Sequence, residues 1–461
     1  MDSLQSIDWI IIIGVISITL LIGFFSGRLK DSSADEYIVS SRNMGLFTFV
    51  AVNVTTWYGG ILGIGEYSYR YGISSWFTQG LPYYIFALIF AFLFAGKIRA
   101  TGLLSIPEKV EAEYGSKVAM VASILIFIIT SPAPYLLTAA QIISTVFGVG
   151  LEIPLFLIPV ALITHLSIKG FKSNIKVDLF LFLFMFLGFI TAVLYLLINH
   201  GGVSFLEENL PPAHLTPTGG TGYFYMLVWY LVAAWTIADP GFHQRVYATK
   251  NASVAKKGII ISVVLWFVFD LFSNASGLFS RALLPDLTDP VTAFPALARD
   301  FLPTGIKGLF LISLFATVYT TLNSFTFLSG VTFSNDILKK LVPSDKYDMK
   351  LYTAAGMVIA TTIAILLSLV FRSIVDIWYY IGSLFVPSLI FLVSGSYFPK
   401  LKLGSGITLF QIIFVPIVGL IWFFFREQLF SGTILAEVEP MLIGIATGSF
   451  FYLSKTVKRH P

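Results

Sequence analysis

The sequence predicts an all-α polytopic membrane protein, and three observations carry that prediction. Of the 461 residues, 56% are hydrophobic and only 12% are charged, against about a quarter charged in a typical soluble domain. The mean hydropathy is +0.85. Apolar stretches of roughly twenty residues, long enough to cross a bilayer as helix, recur along the whole chain. An aromatic content of 16%, with 44 Phe, suits lipid-facing and interfacial surface. There is no Cys, which excludes disulfides, thiolate metal sites and thiol nucleophiles.

Thirteen spanning segments are expected, at 7–27, 46–69, 73–96, 118–147, 151–168, 177–199, 222–238, 258–284, 305–335, 351–371, 374–398, 406–425 and 436–454. Segment 1 follows Asp2 and Asp8 instead of a basic stretch and lacks a small-residue cleavage site. It reads as a retained span and not a signal peptide. Segment 2 contains Asn53, Thr55 and Thr56 ahead of Gly59, Gly60, Gly63 and Gly65. Glycine lowers the cost of leaving helical geometry, and small polar side chains partner the backbone groups so freed. Such a gap lines a wet cavity and offers carbonyls to a cation. A close-packed helix interface through Gly59 and Gly63 is the other reading. Segment 4 is broken by Ser131-Pro-Ala-Pro134, and segments 8 and 9 are long and carry polar residues.

The connections 200–221 and 285–304, rich in Pro, Gly and acids, read as external loops. With the N-terminus outside and the C-terminus inside, only Arg70, Arg281, Arg299, Lys307, Arg372 and Arg426 face out. The other 23 of the 29 Lys and Arg face in, among them Arg245 in the connection after segment 7. That asymmetry is what the positive-inside rule demands.

Several polar residues within the spans are candidates for chemistry. Thr317, Thr320 and Thr321 share one face of segment 9. Their hydroxyls are hard ligands that suit Na⁺ or another hard cation, unless each simply bonds the carbonyl four residues back. Asp270 lies near the middle of segment 8, where an acid is costly and by default functional; a structural hydrogen bond to Asn274 is the alternative. Asp178 opens segment 6, either as a coupling site or as an interfacial charge favoured by the helix dipole. Glu66 reads as a solvated gate or rim residue. His165, His200, His214, His243 and His460 show no metal-ligand spacing. No HExxH, GxSxG, P-loop or dinucleotide fingerprint occurs, so neither an enzyme nor an organic cofactor nor a nucleic-acid partner is expected.

Four stretches give the sequence a family resemblance. They are Ala34-Asp-Glu-Tyr-Ile-Val-Ser-Ser-Arg-Asn-Met-Gly45, Asp239-Pro-Gly-Phe-His-Gln-Arg-Val-Tyr-Ala-Thr-Lys-Asn251 with Ala255-Lys-Lys-Gly258, Pro295-Ala-Leu-Ala298 through Leu302-Pro-Thr-Gly-Ile-Lys-Gly-Leu309, and the segment 9 helix itself. In this order and spacing they resemble the sodium/solute symporter family, whose members carry sugars, proline, pantothenate or sialic acid. The resemblance implies a LeuT-like fold. Residues 1–45 form a first helix and inner loop, 46–200 and 222–398 two inverted five-helix repeats, each opened by a discontinuous helix, and 399–461 two accessory helices.

Aligning Ala51-Val-Asn-Val54 and Thr320-Thr321-Leu322 with the family's motifs implies Na⁺ between segments 2 and 9. Its ligands would be the carbonyls of Ala51, Val54 and Thr317 and the hydroxyls of Thr320 and Thr321. Asp178 matches the aspartate of a second cation position in some members. Val177 replaces a threonine there, so a proton or one-ion coupling stays open. The family's sugar-binding positions fall on Tyr58, Gln79, Trp235, Trp266 and Trp378, and Asn53 and Asp270 join them as solute candidates. An aromatic cage with one amide and one acid suits a compact zwitterion or cation. The implied function is sodium-coupled symport of a small polar organic solute by alternating access. It implies a single-chain unit in the plasma (inner) membrane, with Na⁺ as the coupling ion. A proton-coupled or uncoupled carrier of the same fold, or a transporter-like solute sensor, is the alternative.

Overall fold

Each of the thirteen apolar segments coincides with a helix or a broken run of helix in the computed structural model, which describes residues 4–25, 34–169, 171–343, 346–371 and 373–457. Of the basic residues used to orient the chain, Arg28, Lys30, Arg372, Lys458 and Arg459 lie outside the described residues. Among the described residues there are nine helices long and apolar enough to cross a membrane. The remaining four of the expected thirteen are segments 2, 5, 7 and 13, which are broken or short. Leu46–Thr55, Glu152–Thr164 and Pro440–Leu453 are apolar but below spanning length.

Segment 2 divides into Leu46–Thr55 and Ile61–Tyr71. Crowding at the break explains its glycines. A Cβ on Gly60 would lie 2.0 Å from the Trp378 ring, and one on Gly59 would lie 2.4 Å from Thr321 Cβ. Segment 4 breaks as expected, between Ile129 and Ala133, where Pro132 and Pro134 remove backbone donors.

Segment 7 departs from the sequence reading. It runs as Tyr223–Val232 and Trp235–Ala238, leaves helical geometry at Asp239 (φ −69°, ψ 114°), and resumes as Pro240–Ala248. That last stretch is not an exposed inner loop, because all nine of its residues are buried. The cause is local: the Asp239 carboxylate accepts from Phe242 N at 2.7 Å and Pro240 occupies the first helical turn, a standard helix start. The connections read as loops are also structured, with helices at Gly202–Asn209 and Ala293–Phe301.

Segment 9, Ile306–Val331, is the interior helix. Only Ile306, Leu309, Phe315 and Tyr319 along it are partly exposed. A helix polar and apolar on all sides can be stable only when neighbours surround it. Segment 6 approaches it closely, since a Cβ on Gly188 would lie 2.4 Å from Ser313 Cβ. Its N-terminus is capped from outside the segment. Asp8 Oδ1 accepts from Gly305 N at 2.8 Å and Gly308 N at 2.9 Å, and Asp8 is fully buried. The residue noted in the sequence only as acidic therefore neutralises two free helix donors and the positive end of the dipole.

Asp8→Ala should leave both N–H groups without an acceptor and destabilise the protein by about 1–3 kcal/mol. Asp8→Asn, which keeps an acceptor, should lose less. Unfolding of the purified protein in detergent measures both.

Candidate functional site

The break in segment 2 leaves the Thr55 carbonyl, the last of its half-helix, without a helical donor. Segment 9 supplies the partner: Thr320 Oγ1 lies 2.9 Å from Thr55 O, and 3.2 Å from the carbonyls of Ala316 and Thr317. Thr321 Oγ1 donates to Thr317 O at 3.1 Å, while its side chain packs on Gly59. Thr55 Oγ1 donates to Ala51 O at 3.0 Å, and Trp57 N to Val54 O at 3.3 Å. Ala51, Val54, Thr317, Thr320 and Thr321 are all buried. Of the five residues expected to hold Na⁺, Thr320 and Thr321 thus meet segment 2, at Thr55 O and Gly59, while the bonds given for Ala51, Val54 and Thr317 stay within their own segments. Such neutral, hard donors suit a monovalent cation stripped of water. Thr320 and Thr321 also make the alternative reading's bonds to the carbonyl four residues back, and Thr317 bonds the carbonyl three residues back. Thr55 O was missed, although its place at the end of a half-helix was the signal.

Beside the break lies a cavity of about 100 Å³. Of the seven solute candidates, Tyr58, Gln79, Trp235, Asp270 and Trp378 line it; Asn53 and Trp266 do not. Trp266 is fully buried behind Trp57, their rings stacked at 4.6 Å, so Trp57 presents the aromatic face there. Asn53 Oδ1 instead accepts from Arg245 Nη1 at 3.2 Å. The Asp270 carboxylate accepts a short hydrogen bond from the Tyr84 phenol and packs against Gly80. Asn274 donates to the Asp270 backbone carbonyl at 2.8 Å, leaving the carboxylate to the tyrosine. Gln79 Nε2 and Trp235 Nε1 have no hydrogen-bond partner, so two donors stand at the cavity unused.

Arg245 is the cavity residue that charge patterning placed in a connection. It is 3% exposed, lines the cavity from the buried helix Pro240–Ala248, and makes no ion pair within 4.0 Å among the described residues. Asp239 and Asp178 lie within its electrostatic reach. The dipeptide Asp239-Pro240 was the signal that this stretch is helix. Asp178 is fully buried with both carboxylate oxygens unpartnered, which overturns its reading as an interfacial charge. Glu66 is 2% exposed and ion-paired to Arg70 at 3.0 Å, so it is not a solvated rim residue. No group of three or more His, Asp or Glu among the described residues could hold a metal.

Helices interrupted at the centre of an otherwise apolar bundle, with an oxygen-lined seam on one side of the gap and a small cavity on the other, define a membrane transporter of the LeuT-like fold. The chain belongs to the sodium:solute symporter family, whose profile matches residues 37–394. It is 24% identical over 340 residues to the sodium/pantothenate symporter of Escherichia coli (strain K12), covering 68% of each chain. To the sodium/glucose cotransporter of Vibrio parahaemolyticus it is 22% identical over 413 residues, covering 79% of this chain and 75% of that one. The solved structure of a Na⁺-coupled sialic acid symporter, substrate-bound and outward-open, superposes with a TM-score of 0.77 at 18% identity over 97% of this chain and 98% of that one. The chain is therefore an integral multi-pass membrane protein and a sodium-coupled solute symporter; the proton-coupled, uncoupled and sensor alternatives are not favoured.

Gly59→Ala should drive a methyl into Thr321 and cost about 1–3 kcal/mol. Gly63→Ala, whose nearest neighbours stand 3.2 and 3.3 Å away, should cost less. Melting temperatures in detergent, with and without sodium, provide the comparison.

Proposed function

We propose that the coupled sodium ion is held between segments 2 and 9 by the carbonyls of Ala51, Val54 and Thr317 and the hydroxyls of Thr320 and Thr321. The observation that carries this reading is the Thr320 hydroxyl reaching the freed Thr55 carbonyl at 2.9 Å. An ion there takes over the bridging role of that hydrogen bond and draws several oxygens together instead of two. Thr56, Trp57, Tyr58 and Gly60, the residues of the break, also line the solute cavity. Ordering the break around an ion therefore orders one wall of the cavity, and the two ligands bind with positive coupling. Asp178, buried and unpartnered, is a second cation or proton position. The two repeats lie at 46–200 and 222–398, in thirteen crossings with the N-terminus outside, and one chain is the transport unit.

The solute in this reading is a compact zwitterion. Gln79, Trp235 and Arg245 offer donors to a carboxylate, while Asp270 offers an acceptor to an ammonium group. The rings of Trp57 and Trp378 enclose the part between, where cation–π attraction also favours the ammonium.

Thr320→Ala and Thr321→Ala should each raise the sodium concentration for half-maximal uptake in proteoliposomes roughly tenfold, the equivalent of about 1.4 kcal/mol. Unchanged sodium dependence in both would refute the ligand set. For the solute, a panel of amino acids, betaines, amines and hexoses is to be scored by melting-temperature shift in sodium and in potassium. Zwitterions should give sodium-dependent shifts that Arg245→Lys weakens. Shifts confined to hexoses would discard the zwitterion while leaving the sodium site standing.

A further inference from the structure

A second pocket, of about 310 Å³, shares no lining residue with the solute cavity. It lies where segment 3, the short helix Ile106–Tyr114 and the end of segment 11 meet. The charge pattern assigns this end of the bundle to the inner side of the membrane. Lys97, Thr101, Lys109, Glu113, Ser396 and Tyr397 line it.

Its charge is fixed and positive. Glu113 bridges two lysines, with Lys109 Nζ at 2.6 Å and Lys402 Nζ at 2.7 Å. Hydrogen bonds from Lys109 and Lys402 hold the Glu113 carboxyl below the usual carboxylate range, so it stays ionised. Lys97 makes no ion pair among the described residues and stands over the Phe398 ring at 5.1 Å from its centroid. Lys109 and Lys402 stand over Tyr397 and Tyr114 at 5.4 and 5.5 Å. The lining carries two ammonium groups, Lys97 and Lys109, against the one carboxylate of Glu113, an excess of one positive charge, and Lys402 pairs with Glu113 from outside the lining. Each ammonium is steadied by a ring.

The surroundings specify the rest of the ligand. Leu93, 51% exposed, lies four residues before Lys97 in segment 3, and its neighbour Phe92, 60% exposed, has the Lys256 ammonium over its ring at 4.3 Å. In an integral membrane protein an exposed apolar side chain such as Leu93 faces acyl chains. A ligand suited to both features carries an anionic head and an apolar tail. A free inorganic anion gains nothing from Leu93.

We propose that this pocket binds the phosphodiester headgroup of an anionic phospholipid, with its acyl chains along Leu93. Basic pockets at the cytoplasmic ends of membrane helices recognise such headgroups through the same attraction. The bound lipid would tie the Ile106–Tyr114 helix to the end of segment 11, across the junction that Glu113 and Lys402 already bridge.

The test uses the full chain in a neutral detergent, titrated with phosphatidylglycerol, phosphatidylcholine or inorganic phosphate. Lipid retained in native mass spectrometry and the melting temperature are read together. Phosphatidylglycerol should be retained and raise the melting temperature, and the other two should do neither. Lys97→Gln, which breaks no ion pair, should weaken phosphatidylglycerol retention roughly fivefold, and Lys97→Arg should restore it. Equal retention of both lipids, or retention unchanged in Lys97→Gln, would overturn the proposal. Stabilisation by inorganic phosphate equal to that by phosphatidylglycerol would replace it with a soluble-anion site.

Discussion

The hydroxyl of Thr320 meeting the carbonyl of Thr55 is the contact on which the centre of this bundle depends. A helix broken at bilayer depth exposes backbone groups that water cannot reach, each at a cost of several kcal/mol. The bundle tolerates the break because segment 9 brings a donor to the freed carbonyl. It can do so only because Gly59 and Gly60 let Thr321 and Trp378 come within contact distance. Close packing and backbone satisfaction are here one condition. That condition also explains why segment 9 is buried almost throughout and capped from segment 1 by Asp8.

The same break faces two ways. Toward segment 9 it presents oxygens without formal charge, and on its other side it forms a wall of the solute cavity. Around that cavity the polar groups are unevenly arranged. Asp270 is engaged by Tyr84 and Arg245 donates to Asn53, whereas Gln79 and Trp235 are left with donors to give. A buried arginine without an ion pair is costly to maintain by itself, and its position between Asp239, Asp178 and the cavity gives it anionic surroundings without committing it to one partner.

Much of this was legible in the residues, because the signals were local. Hydropathy marked thirteen runs that prove helical, though not Gly202–Asn209, Pro240–Ala248 or Ala293–Phe301. The Asn53-to-Gly65 run marked the break, and Ser131-Pro-Ala-Pro134 the interruption of segment 4. The three-and-four spacing of Thr317, Thr320 and Thr321 put their hydroxyls on the face that meets segment 2. Arg245 was missed because counting charges treats a basic residue next to a span as a loop residue. Only the packing of Pro240–Ala248 against its neighbours shows otherwise. Trp266 was a candidate cage member and Trp57 was not, yet Trp57 lines the cavity with Trp266 stacked behind it.

The sequence by itself determined the class of fold, the place of the broken helix and the chemistry of the oxygens beside it. Those follow from composition, glycine conformational freedom and helical periodicity, each acting within a few residues. Only the tertiary structure decided that Thr55 is the carbonyl Thr320 reaches, that Asp8 caps a helix nearly three hundred residues away, and that Arg245 and Asp178 are buried. Those outcomes depend on which helices are neighbours and how closely they approach, and no periodicity within one segment encodes the distance to another.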